Sequence, residues 1–96
     1  MKMIMISYNS AIESEVTEVL KNLSIQNFTK WTNVLGKGEK SGSHFGTEIW
    51  PGINSVIAIA LEDNKKDEVI AQIRKLRTRF VKIGVKAFVW NLEETT

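Results

Sequence analysis

Residues 53–61 read Ile53-Asn54-Ser55-Val56-Ile57-Ala58-Ile59-Ala60-Leu61. The run is almost wholly apolar and rich in β-branched side chains, with Gly52 before it and Glu62-Asp63 after it. Its length suits a strand and falls well short of the roughly 18 apolar residues that mark a membrane span. Apolarity at successive positions predicts a central, covered strand. Downstream, Asp63 or Asn64 is placed to cap a helix, with Asp67 in its first turn. Val69, Ile73, Leu76 and Phe80 then recur at helical spacing and predict its buried stripe. Gly84 precedes a further strand, Val85–Trp90, and a short acidic tail ends the sequence.

Upstream, Phe28–Leu35 has the aromatic and β-branched content of a strand. Met1–Tyr8 predicts a buried first strand, stopped at Asn9-Ser10. Met1, Met3 and Met5 share one of its faces, which reads as alternating core methionine rather than a copper site. Between these strands, Ser10-Ala11-Ile12-Glu13 has the pattern of a capping box, in which Glu13 reaches back to the Ser10 N–H. Ile12, Val16, Val19, Leu20 and Leu23 form the apolar stripe of the helix it opens, and residues 22–27 hold the exit turn.

The order is β-α-β-β-α-β. It predicts an α+β, ferredoxin-like single domain over residues 1–96: a four-stranded antiparallel sheet with two helices on one face. Trp31, Phe88 and Trp90 are candidates to line the opposite face, and an uncovered apolar sheet face argues for self-association. A chain of 96 residues has a modest core, which points the same way.

Composition narrows the chemistry. There is no cysteine, so no disulfide, thiolate metal site or cysteine nucleophile. Met1–Ile6 is too short and too strand-like for a signal peptide, and the expected location is cytoplasmic. The net charge is +2, but Arg74, Lys75, Arg77, Arg79, Lys82 and Lys86 follow one another with no acidic residue between them. Such a run is either a solvated helix face or an anion site.

The connection from Gly36 to Gly52 is the anomaly. A tight hairpin would join its two strands in a few residues, whereas this segment spends about fifteen. It holds five of the six glycines, the only histidine and the only proline. Phe45, Ile49 and Trp50 have no place in a merely solvated loop, and with Lys40 and His44 they suggest a surface that docks on a partner. The tip around Ser41–His44 is expected to be mobile until something orders it. His44 alone is too little for a metal site. Gly36-Lys37-Gly38 lacks the spacing of a P-loop.

The whole pattern resembles the PII-like superfamily, the trimeric nitrogen-regulatory PII proteins and their divergent relatives. The resemblance runs through Met1-Lys2, Ile4, Glu15-Val16, Leu20, Ile25-Gln26 and Thr29, then Val34, Gly36 and Gly38 at the mouth of the long loop. It continues in Arg77-Thr78, Lys82-Ile83-Gly84, Lys86, Phe88-Val89 and Glu93-Glu94. It implies a regulatory protein rather than an enzyme, and a homotrimer with its sheets turned inward. The long loop would reach into a protein partner such as a membrane transporter or an enzyme. An anionic ligand would lie between subunits, with Gly36, Lys37 and Gly38 at the loop base and Gly84 and Lys86 on the phosphate side. Several features depart from the family pattern. Lys40 or Glu39 stands where the family has a glutamine beside the loop-base glycines, and residues 54–61 lack the lysine the family carries on its third strand. Val85 stands where the family's phosphate turn has a glycine, and the chain lacks the family's C-terminal arginines. These departures imply weak nucleotide binding, with an ATP affinity on the order of millimolar. No resident cofactor is implied.

Other classes fit less well. No triad, paired carboxylate motif or metal signature is visible. An RNA-recognition domain would stack bases on aromatics of its central strands, and residues 55–61 have none, so nucleic acid is not expected as a partner. A CutA-like or ACT-like domain that binds a small ligand or metal is the alternative, but neither accounts for the long loop.

Overall fold

A computed structural model describes residues 1–36 and 53–96. In β1 (Lys2–Asn9), Ile4, Ile6 and Tyr8 are buried while Met3, Met5 and Ser7 between them are only half-buried. The three other strands are β2 (Thr29–Val34), β3 (Asn54–Leu61) and β4 (Val85–Asn91). All pairings are antiparallel, in the spatial order β2-β3-β1-β4. The described helices are α1 (Glu13–Asn22) and α2 (Asp63–Arg79). This is the expected βαββαβ arrangement.

Register divides the sheet into two faces. Ile4 lies opposite Ile59 and Val89, and Ile6 opposite Ile57 and Ala87. Ile4, Ile6, Tyr8, Ile57 and Ile59 join Val16, Leu20, Val69, Ile73 and Leu76 from the helices in one core. Each side chain so buried contributes about 1.5–3 kcal/mol. On the other face, Met5 lies between Ala58 and Phe88, Met3 between Ala60 and Trp90, and Trp31 opposite Val56. Trp31, Phe88 and Trp90 are all exposed there. The strand β3 is central, as expected, but covered on one side only: its residues alternate between buried and part-exposed.

Two helix starts differ from expectation. Asn9 caps the chain at a short 3-10 turn (Ser10–Ile12), its Oδ1 accepting from the Ala11 N–H at 2.8 Å. The Ser10 N–H donates instead to the Ile53 carbonyl at 2.9 Å, so nothing is left for Glu13 to cap. Glu13 turns elsewhere and accepts from Tyr8, Thr17 and Lys30. At α2, the capping position is Glu62 with no side-chain bond, and Asp63 is already helical, with its carboxylate 3.5 Å from the chain's ammonium terminus.

The exit from α1 is a Schellman turn. The Ile25 N–H donates to the Leu20 carbonyl at 2.9 Å and the Ser24 N–H to that of Lys21 at 3.0 Å. Ser24 takes the left-handed conformation, φ 58°, where glycine is usual. Ile25 is buried beyond it, and fixes the path towards β2.

Candidate functional site at one end of the sheet

The end of β2, the starts of β3 and β4, and the end of β1 all lie at one end of the sheet. Asn54 lies opposite both Asn9 and Val34, and the Asn9 N–H donates to the Gly84 carbonyl at 2.9 Å. Gly36 sits against this junction: a Cβ there would approach the Asn54 Nδ2 to 2.8 Å. A side chain at Gly36 would therefore have to displace the Asn54 amide. Just before it, the β2–β3 ladder is irregular between Trp31 and Val34, and Asn33 takes φ 56°. This has the character of a bulge, which bends a strand and re-aims the chain beyond it.

Gly84 is different. A Cβ there would meet nothing within 4 Å, and no described glycine has a positive φ. The chain's own fold makes no demand for glycine at that position. Val85, the residue in place of a family glycine, is a buried member of β4.

Gly36 and Gly84 share one end of the sheet but stand at its opposite edges. Three strand spacings separate the edge strands β2 and β4, about 14 Å. Of the expected ligand residues, the structure thus describes Gly36, Gly84 and Lys86, and does not bring Gly36 together with the other two within one chain. Lys37, Gly38, Lys40, His44, Phe45 and Trp50 lie outside the described residues.

The basic run divides by position. Arg74, Arg77, Lys66 and Lys86 line a groove of about 810 Å³ between α2 and β4, with Ile70, Ile73, Ala87 and Val89 among its apolar wall. Asp67 also lines it, and its carboxylate lies 2.5 Å from the Lys66 ammonium. Arg79 lies over the Phe80 ring at 4.7 Å, and the Lys86 ammonium is 5.7 Å from the Phe88 ring centre. Lys75 and Lys82 are exposed. The solvated reading holds for Lys75 and Lys82, while the exposed Arg74, Arg77 and Lys86 border one groove. The sequence reading missed Lys66, which precedes the run and joins the groove only through the turns of α2. It also missed Asn54, a residue of β3 whose contact with Gly36 exists only once β2 and β3 pair.

No helix among the described residues is long and apolar enough to cross a membrane.

A family profile described as nitrogen regulatory protein P-II matches residues 1–96. No curated protein sequence matches the chain. Among solved structures, the chain is similar to CPII, a nitrogen regulatory PII-like protein from Thiomonas intermedia K12 bound to ADP, AMP and bicarbonate. That likeness has a TM-score of 0.69 at 17% identity, over 95% of this chain and 88% of that one. The apo form of CPII gives a TM-score of 0.67 at 16% identity, over 93% and 85%. A PII-like signalling protein from Thermus thermophilus gives 0.67 at 20% identity, over 95% and 85%.

Proposed function

The chain belongs to the nitrogen regulatory protein P-II family, and from that premise we propose that it is a non-enzymatic regulator that works as a homotrimer. Copies meet across the open face of the sheet. A small anion lies between the loop base of one copy, at Gly36-Lys37-Gly38, and the Gly84–Lys86 turn of the next. The segment from Gly36 to Gly52, with Lys40, His44, Phe45 and Trp50, carries the signal to a partner protein such as a transporter or an enzyme.

The observation that supports this reading is the separation of Gly36 from Gly84 across the width of the sheet. A ligand held by both needs a second copy, whose loop base can stand beside the first copy's β4. The empty space around Gly84 agrees: its lack of a side chain serves no contact of its own chain and leaves room for what comes against it. The apolar face bearing Trp31, Phe88 and Trp90 supplies the surface for assembly. CPII, the structurally similar protein, binds ADP, AMP and bicarbonate. In this chain the phosphate side rests on lysines, point charges that hold phosphate loosely without fixed backbone donors behind them. Nucleotide affinity on the order of millimolar is the consequence, falling steeply with salt. A cytoplasmic setting suits such a regulator.

Calorimetry with ADP, AMP and bicarbonate, at low and physiological salt, tests the site on the wild type, Lys86→Ala and Gly84→Val. Weak, salt-sensitive binding lost in both variants is expected. Tight binding that resists salt would overturn the weak-site reading. Binding indifferent to both substitutions would overturn the placement.

A further inference from the structure

The strand β2 is the least secured of the four. It is an edge strand paired only with β3, its residues from Thr29 to Asn33 are all exposed, and its ladder is irregular before Val34. Yet it is the strand that delivers the chain to Gly36 and the long segment beyond. Among the described residues, one carboxylate ties its side chains to the helical layer. The Lys30 ammonium donates to Glu13 Oε2, and among the described residues this is the only side-chain hydrogen bond or ion pair that β2 makes. Thr17 Oγ1 donates to the same oxygen at 3.3 Å, and the Tyr8 hydroxyl donates to Oε1 at 2.7 Å. Tyr8 is 1% exposed, fixed in the core of β1. Glu13 thus joins the innermost strand, the first helix and the outer edge strand through its two oxygens.

We infer that Glu13 is a positioning residue: it ties β2 to the core through Lys30 and Tyr8, and so sets where this edge strand lies against the helical layer. Burial alone would raise the Glu13 carboxyl, but the hydrogen bonds from Lys30 and Tyr8 and the Lys30 charge outweigh it and hold the group ionised below the ordinary carboxylate range. Burial, followed by Glu13 itself, keeps the Tyr8 phenol protonated to unusually high pH and therefore always a donor. All these contacts lie within one chain, so the inference stands apart from any assembly or ligand.

Amide hydrogen exchange on the full chain tests it, comparing wild type, Glu13→Gln, Lys30→Met, the double variant and Lys30→Arg. In Glu13→Gln and Lys30→Met the amides of Thr29–Val34 should exchange roughly fivefold faster, while those of Ile4, Ile6 and Val69–Leu76 keep their rates. The double variant should go no further than either single one, since both break the same tie. Lys30→Arg should retain the wild-type protection. An equal acceleration across β1 and α2 would make Glu13 a general stabiliser and overturn the inference. So would unchanged exchange in β2, additive effects in the double variant, or loss of protection in Lys30→Arg.

Discussion

Replacing Trp90 by glutamate should dissolve the assembly and spare the fold. In one chain Trp31, Phe88 and Trp90 are 51%, 42% and 48% exposed. An aromatic side chain of this kind has roughly 150–250 Å² to bury, so each leaves on the order of 100 Å² uncovered. Covering all three between copies would remove about 300 Å² of apolar surface per chain, or about 7.5 kcal/mol at ~25 cal/mol per Å². That is of the same order as the roughly 4–15 kcal/mol that association costs, so no single member of the patch is spare. Losing the Trp90 share removes about 2.5 kcal/mol, roughly sixtyfold in affinity, and the new carboxylate would add a desolvation penalty. The fold itself rests on the opposite face, on Ile4, Ile6, Ile57 and Ile59, which the substitution does not touch. Sedimentation velocity at micromolar concentration should show a wild-type trimer and a Trp90→Glu monomer with the same circular dichroism. A wild-type monomer under those conditions, or a variant that assembles as the wild type does, would refute the reasoning.

Ser24→Gly should stabilise the chain by about 0.5–1 kcal/mol, because relief of the left-handed strain exceeds the added freedom of the unfolded glycine; thermal unfolding should rise by roughly 3–6 °C. Glu13, held below its ordinary value of 4.5, contributes stability that is full above that value and lost as pH falls through its lower folded value. With its side chain 38% exposed, the contribution is at most about 1 kcal/mol. Denaturant titrations should show this loss on acidification below about pH 4.5 in the wild type and not in Lys30→Met.

The elements whose signal is periodic are readable in the sequence. The stripe Val69, Ile73 and Leu76 is legible because a helix must bury one side of itself. The aromatic face is legible for the same reason, since two helices can cover only one side of a sheet. In β1 the expected core face of Met1, Met3 and Met5 is the open one, and Ile4, Ile6 and Tyr8 are buried instead, because both sets alternate and only the packed helices decide which side is covered. What escapes is set by partners distant in sequence. Glu13 has the local spacing of a capping residue, but Ile53 takes the N–H it would have capped, and Lys30, 17 residues away, takes the carboxylate. Phe80 falls on the helical stripe but packs only partly against the core, with Arg79 over its ring. Of the candidate site, the order of elements puts Gly36 and Gly84 at one end of the sheet, but sequence spacing gives no strand order. That they stand at opposite edges becomes visible only with β3 and β1 found between them. The irregularity at Asn33 leaves no mark in the sequence, because asparagine is unremarkable in a strand that ends in a loop.

That irregularity has a consequence for symmetry. The two edges of this sheet are chemically different, so any contact that sets β4 of one copy beside β2 of the next is head-to-tail. Repetition of such a contact generates a closed ring when the rotation per step divides a full circle, and an endless helical fibre when it does not. A bulge steepens the local twist of its strand. The break between Trp31 and Val34 lies on the β2 edge, so in an assembly that joined β4 to β2 it would help set the angle of each step. In such an assembly, straightening it, even with every apolar contact kept, would change the number of copies that close the circle, or leave the circle open.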